Sequence, residues 1–566
     1  MPGDSTLVNK NTQSQNHFDA IIVGSGISGG WAAKELCEKG LKVLLLERGE
    51  NVVHPNYPTA TENPWDFPHR LSLSEEDKKH QFVQSRHWSF REDNKHFYIN
   101  DLENKYEETK RFDWIRGNIV GGRSLLWSRA CYRWSDLDFE ANLKDGIAID
   151  WPIRYKDIAH WYDYVESFIG VSGNTDGVPQ LPDGMFQPPF EMNVVEKYFK
   201  GKIETRYADR KVIIGRTANL TKPVQGRGQC QARDLCHRGC PYGAYFSTNA
   251  STMPAAYATG NLTVRPHSLV NKVLYHEQKK RAIGVEIIDT ETNQIMEFNA
   301  RLIFLNASTV ATAFILLNST SPRFPNGFGN GSGQVGRNLM DHHKGLSASA
   351  SVDGFEDMYH YGRRPTNIYV PRFRNVQKKE ADFLRGYHFG GSAQRGQQQS
   401  DIGIGAALKE TMAEPGGWRM SLYGFGECLP YTDNRITLNH DKKDKWGRPV
   451  IAINCEFKIN EKAMHEDMGN TAKELLEAAG FKDIHINNTI SFPGNANHEM
   501  GVARMGRDPK TSVLNSFNQM HEVPNVFITD GSCMASGSCV NPSLTYMALT
   551  ARACDYAVKE LKRMNI

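Results

Sequence analysis

The chain has 566 residues, with 67 lysines and arginines against 64 aspartates and glutamates, a formal excess of +3. So small an excess argues against nucleic acid as the main partner, because neutralising phosphates takes a concentrated basic face. Hydrophobic residues at 39% and charged residues at 23%, with no apolar run of about 18 residues, describe a globular chain without an ordinary membrane-spanning helix.

The amino-terminal tract up to His17 is polar, without a basic or an apolar leader segment, and predicts no secretory signal of its own. The β-branched apolar run from Phe18 to Val23 predicts a buried parallel strand. Gly24-Ser25-Gly26-Ile27-Ser28-Gly29 follows at once. Trp31, Ala32, Ala33, Leu36 and Cys37 then recur at helical spacing, and Gly40 ends the helix. Val43 to Leu46 predicts a second buried strand, closed by Glu47. Gly24 permits a tight turn, Gly26 lets backbone N–H groups approach a pyrophosphate, and Gly29 lets the helix pack closely on the strand. The helix N-terminus adds partial positive charge for the phosphates. Glu47 lies 18 residues beyond Gly29, where an acid accepts from ribose hydroxyls. A lone GxGxxG is a weak signal; with strand, helix, second strand and acid in place it predicts dinucleotide binding. The acid favours an unphosphorylated adenosine ribose, hence FAD or NAD over NADP.

Further along, Arg116 to Ser124 is glycine-rich and runs into Leu125-Leu126-Trp127. Ile158, Trp161, Tyr162, Val165, Phe168 and Ile169 form one helix face, ended by Gly170. Of the ten cysteines, three crowd together as Cys230, Cys236 and Cys240, spaced C-x5-C-x3-C and followed by Pro241. The spacing fits three readings: reduced loop thiols, a zinc site completed by His237, or an iron–sulfur cluster. The others are scattered and read as small apolar packers. Leu302 to Leu317 reads as a buried strand and helix. Gly390 to Ser400 is polar and biased and predicts a surface loop, with a mobile lid as the alternative. Arg435 to Leu438 and Val450 to Phe457 alternate as strands joined by the charged loop 441–448, and a helix spans Lys462 to Ala479. Together these predict a sheet with a helical cover. His498 stands in a loop that composition alone does not distinguish among 19 histidines. Asn525 to Ile528 predicts an apolar strand running into Asp530, and Asn541-Pro542-Ser543 opens a last helix. Asn541 reads as a helix N-cap or as a ligand-binding amide.

The N-terminal fingerprint, Val120-Gly121-Gly122-Arg123-Ser124, Val335 to His342, His498-Glu499-Met500-Gly501, and Asp530 through the final helix resemble the glucose-methanol-choline (GMC) oxidoreductases over nearly the whole chain. The resemblance implies an α/β plus α+β fold: a Rossmann-like FAD-binding domain of the GMC and p-hydroxybenzoate-hydroxylase kind, with a sheet-plus-helices substrate domain. It assigns residues 15–60, 105–150, 196–345 and 491–566 to the FAD domain, with the cysteine loop at 226–246. Residues 61–104, 151–195 and 346–490 fall to the substrate domain and cover. Glu47, with Arg48 beside it, holds the adenosine ribose. Gly24, Gly26, Gly29, Gly121, Gly122 and Ser124 shape the flavin cradle, Val270 meets the adenine, and Asp530 lies by the pyrophosphate and ribityl chain. Asn541, Pro542 and Ser543 aim a helix N-terminus at the flavin pyrimidine. Asp341, His342 and His343 are expected at the domain junction. Where pyranose 2-oxidases carry a flavin-linking histidine this chain has Leu126, so dissociable FAD is expected.

In the same resemblance His498 is the base that deprotonates a sugar hydroxyl while hydride passes to flavin N5. Asn541 hydrogen-bonds the hydroxyl and cannot act as a base. The cysteine spacing is similar to that of bacterial FAD-dependent glucose dehydrogenases and glucoside 3-dehydrogenases, which implies that Cys230, Cys236 and Cys240 hold a [3Fe–4S] cluster. The expected reaction is oxidation of a ring hydroxyl of glucose or a glucoside at C3. Electrons would leave through the cluster to a small accessory subunit and a cytochrome or other acceptor. A pyranose oxidase producing peroxide and an electron-transfer flavoprotein subunit are the alternatives. The expected compartment is the periplasm, by co-export with a partner, or the cytoplasm.

Overall fold

The computed structural model describes residues 16–358, 364–397 and 403–566; most of the polar amino-terminal tract lies outside these. Strand β1 (His17–Val23) leads into helix α1 (Ile27–Glu38) and strand β2 (Val43–Leu46). Ile21, Ile22, Leu44 and Leu45 are fully buried, because both faces of these strands are covered, each contributing about 1.5–3 kcal/mol by leaving water. β1 pairs in parallel with β2, Ile21 opposite Leu44, and on its other side with Ile295–Leu305, Ile21 opposite Ile303. Leu262–Arg265 lies parallel beyond β2, and Val526–Ile528 lies parallel along the end of Ile295–Leu305. An antiparallel hairpin, Ser268–His276 and Arg281–Asp289, joins through the first half of Ile295–Leu305. Helices α1 and Ser543–Lys562 pack on one face, where Phe304 and Phe527 stack at 5.0 Å.

The turn between β1 and α1 has no room for side chains. Gly24 sits at φ +92, and a Cβ there would stand 2.4 Å from the Asn306 carbonyl oxygen. A Cβ on Gly29 would stand 1.7 Å from the Gly24 carbonyl oxygen. The first turn of the helix is pressed against the loop it leaves.

A second, antiparallel sheet has the order Lys482–Asn488, Leu346–Val352, Pro415–Gly426, Tyr387–Gln397, Ile368–Val370, Ile213–Ile214. Its strands alternate. Leu346, Ala348, Trp418, Met420, Leu422, Tyr387 and Phe389 pack against helices Val194–Arg206 and Ile459–Ala478, while His388, Gly390, Tyr423 and Phe425 turn to the opposite side and line a cavity. Residues 196–206 and 213–214, grouped by sequence with the nucleotide part, pack on this second sheet.

Two expectations are corrected here. The strands read at 435–438 and 450–457 form a hairpin, Arg435–Lys443 with Pro449–Asn454, but it pairs with Glu107–Glu108 in a separate sheet rather than with the substrate sheet. Ile436 and Ile453 bury against Val310 and Ala313 of helix Thr309–Asn318. The polar stretch read as a surface loop or lid from Gly390 is instead a strand through Gln397, paired with Pro415–Gly426 and, at Gly390 and Gly391, also with Ile368–Val370; residues 398–402 lie outside the described residues. Gly390 and Gly391 are there for close packing: a Cβ on Gly390 would stand 2.3 Å from the Tyr423 ring, and one on Gly391 2.7 Å from the Leu422 side chain.

Among the described residues, no helix is long and apolar enough to cross a membrane.

Candidate active site

A cavity of about 750 Å³ lies between the carboxyl ends of the parallel strands, the exposed face of the second sheet and the cover segment. In open parallel sheets this edge is where ligands bind. One part of its wall is built from Gly24, Gly26, Glu47, Arg48, Val270 and Asp530, another from Gly122, Ser124, His498, Asn541 and Ser543. Gly29, Gly121 and Pro542 do not line it; they shape the turns just behind. Gly121 lies at φ +97, Pro542 is the residue before the first turn of Ser543–Lys562, and Gly29 holds α1 against Gly24.

The glutamate at the end of β2 is fixed before any ligand arrives. Glu47 Oε2 accepts from the Ser25 amide at 3.0 Å and the Ser25 hydroxyl at 2.5 Å, and Oε1 accepts from the Gly49 amide at 3.0 Å. Ser25 Oγ also accepts from the Gly121 amide at 2.8 Å, joining the two glycine turns. Ser124 Oγ donates to the Gly121 carbonyl at 2.6 Å. Asp530 accepts from Thr312 Oγ1 at 2.7 Å and from the Ser532 amide at 3.0 Å, and burial pushes its carboxyl up.

Several features fit FAD. A Cβ on Gly26 would meet nothing within 4 Å, so the backbone there is open to the cavity. Neither α1 nor Ser543–Lys562 has a side-chain cap, which leaves the amides of both helix ends available for phosphate or a ring carbonyl. The Asn306 amide nitrogen is buried without a protein partner on the cavity wall.

His498 lines the cavity in a loop held from three sides. Asp341 accepts from the amides of Gly494 at 2.7 Å, Ala496 at 3.1 Å and His498 at 3.0 Å. Arg123 makes a two-pronged bridge to Glu499, at 3.1 and 2.7 Å, and so ties the Gly121-Gly122 turn to the same loop. Thr309 Oγ1 donates to the Glu499 carbonyl at 2.5 Å. The loop needs this support: Asn497 sits at φ +60 and Val502 at φ +72, left-handed conformations that cost a valine about 1–2 kcal/mol.

The electrostatics leave the His498 imidazole neutral. Burial lowers its pKa well below the ordinary value, and His342, Lys344, Arg123 and His388 oppose a further positive charge. Burial likewise lowers His342 to about 4, His388 to about 3 and Lys344 to about 8. Burial and the Glu499 carboxylate push Asp341 up to about 7, against the amides that favour its anion. Opposite stands an aromatic wall: Tyr132 on Tyr369 at 4.2 Å, Tyr369 on His388 at 4.5 Å, and His388 on Phe425 at 5.4 Å, all stacked. The inner rings of this stack cover each other's faces, so they present edges to the cavity.

Cys230, Cys236 and Cys240 are half-buried and line a second cavity of about 230 Å³. Burial raises the Cys230 and Cys240 thiols, and each is raised further by its cysteine neighbours. Among the described residues no group of three or more His, Cys, Asp and Glu is placed to hold a metal ion. The His237 imidazole, the fourth ligand the zinc reading would need, lies 3.0 Å from Asp93.

Sequence assigns no role to Arg123 or Glu499, although both stand inside the quoted motifs, and it places Asp341 at the domain junction rather than beneath the His498 loop. Their contacts join segments far apart in the chain, and only adjacency to His498 and to Gly122 hinted at them. His342, expected at the domain junction, touches His498.

Comparisons with known proteins agree with this geometry. GMC oxidoreductase family models match residues 18–344 and 430–550. The chain is 28% identical to 2-methyl-1,2-propanediol dehydrogenase of Mycolicibacterium austroafricanum, over 96% of each chain. It is 25% identical to the fructose dehydrogenase large subunit of Gluconobacter japonicus, over 96% of this chain and 98% of that one. Formate oxidase of Aspergillus oryzae RIB40 shares the fold at a TM-score of 0.61 and 15% identity, over 97% of this chain and 99% of that one. Family models that span most of the sequence establish that the chain belongs to the GMC oxidoreductases, FAD enzymes that act on CH–OH groups of sugars and alcohols.

Proposed function

We propose that the protein is an FAD-dependent sugar dehydrogenase that oxidises a ring hydroxyl of glucose or a glucoside at C3. The observation that supports oxidation of an alcohol is His498, a neutral imidazole on the cavity wall in a loop tied to the flavin-side turn by Arg123 and Glu499; the choice of a glucoside and of C3 rests on the overall resemblance of the chain to glucoside 3-dehydrogenases. His498 takes the hydroxyl proton. Asn541 hydrogen-bonds the same oxygen and orients it. FAD, when bound, supplies the acceptor for the hydrogen leaving carbon. With Leu126 on the cavity wall, no histidine is present at that position to attach the cofactor, and FAD is held without a covalent bond there.

The acceptor is proposed to be a partner protein rather than oxygen. Trp88, Leu126, Trp127, Pro365 and Asn367 belong to the walls of both cavities, so a single layer of side chains separates the flavin site from the cysteines. Cys230, Cys236 and Cys240 are proposed to hold a three-iron cluster, which would supply a one-electron outlet for a small accessory subunit and a cytochrome. Cys236→Ser is expected to remove the iron and acid-labile sulfide of protein made with iron supplied, and to leave its FAD content unchanged. Parent protein that contains flavin but no iron would refute the cluster.

The activity test is an assay of the isolated chain with glucosides and an artificial electron acceptor, with the product identified by NMR. A 3-keto sugar formed with acceptor, with little peroxide in air, is the expected result. Peroxide formed at a comparable rate would make the protein an oxidase, and flavin that no sugar bleaches would make it an electron carrier.

A further inference from the structure

His498 Nδ1 lies 2.9 Å from His342 Nδ1, with the two rings nearly perpendicular at 80°. Two imidazole nitrogens at that distance share one hydrogen: one donates and the other accepts. Which one donates is decided on the far side of His342. Its Nε2 lies 3.2 Å from the Gly537 carbonyl oxygen, and a carbonyl can only accept. His342 Nε2 therefore carries a hydrogen. His342 is wholly buried among neutral groups and stays uncharged, so its Nδ1 has a lone pair and accepts. The hydrogen between the rings then belongs to His498 Nδ1, and His498 Nε2 is bare. Among the described residues no protein group bonds that second nitrogen, and His498 lines the cavity.

We infer that His342 is a positioning residue: by accepting from His498 Nδ1 it fixes the tautomer in which Nε2 can take a proton from the substrate. The reverse tautomer would present an N–H to the substrate hydroxyl and could not act as a base. The chain of contacts runs from Gly537 through His342 to His498, so the loop that ends at Asn541 sets the protonation of the residue opposite it. The inference rests on the reading of His498 as the base. It goes beyond that reading by naming what selects the competent form. His388, whose Nδ1 donates to the Cys539 carbonyl at 2.7 Å, is anchored to the same loop but does not touch His498 Nδ1, so it cannot substitute.

The test is ¹⁵N-histidine NMR of the holoprotein beside steady-state kinetics. The parent is expected to show His498 protonated on Nδ1 and bare on Nε2, assigned by its absence in His498→Gln. His342→Ala, which removes the acceptor, is expected to show a mixed or reversed tautomer and to lower kcat/KM about 10²-fold with full FAD content. In His342→Asn the side-chain oxygen takes the place of Nδ1 and accepts in its stead, so most of the activity and the parent tautomer should return. Three results would overturn the inference: a parent His498 protonated on Nε2, a His342→Ala protein that keeps the parent tautomer, or equal losses in His342→Ala and His342→Asn. If His498→Gln kept full turnover, the base assignment itself would fail, whatever the spectra showed.

Discussion

His498→Ala is expected to lower kcat/KM about 10³-fold while the purified protein keeps its FAD and its unfolding temperature. Taking hydrogen from a secondary alcohol leaves the hydroxyl proton to be removed, and His498 is the neutral cavity imidazole whose loop is tied to the flavin-side turn through Arg123 and Glu499. Asn541 is an amide, Arg123 is held by Glu499, and His388 is anchored on the aromatic wall. The pH dependence has a definite sign. Only neutral His498 is competent, and its pKa is held below 6.5 by burial and the neighbouring cations. The acid limb of kcat/KM should therefore fall below pH 6.5 rather than at it, and His498→Ala should lose that limb. FAD lost in step with turnover would mean that His498 is a structural residue.

Gly29→Val is expected to abolish FAD retention and to cost at least about 3 kcal/mol of stability. The added Cβ would lie 1.7 Å from a backbone oxygen, that of Gly24, which has no rotamer by which to move aside. Relief requires α1 to lift from β1, and this opens the turn that receives the phosphates. Gly26→Ala separates the two effects. Its Cβ meets nothing within 4 Å in the protein, so the apoprotein should unfold at the parent temperature while the methyl group obstructs the cofactor. Flavin absorbance per mole of protein and thermal unfolding read both variants. A Gly29→Val protein with a full complement of FAD would contradict the close-packed turn.

The parts of this molecule legible in its sequence are those whose cause is local. β1, the glycine turn, α1 and β2 are one continuous stretch in which apolar period, turn chemistry and closing acid agree. What a segment pairs with is less legible. The 435–454 hairpin alternates as any half-buried hairpin does, and nothing in it says that Glu107–Glu108 rather than the large sheet is its neighbour. Gly390–Gln397 has the composition of a loop, yet it is a strand paired with Pro415–Gly426, because Tyr423 and Leu422 close over the missing side chains of Gly390 and Gly391. Strand preference follows surroundings more than residue type. The same limit applies at the site. His498 and Asn541 stand in recognisable motifs, but the pairing of Arg123 with Glu499, the three amides on Asp341, and the contact between His342 and His498 join positions far apart in the chain. They appear only when the sheets are assembled.

Anaerobic mixing of the FAD-loaded protein with a glucoside carrying deuterium at C3 tests the central claim most directly. The account predicts that the visible flavin band bleaches with unlabelled sugar, bleaches severalfold more slowly with the C3-deuterated sugar, and bleaches hardly at all in His498→Ala. Bleaching that ignores the deuterium, or that is equally fast without His498, would contradict it.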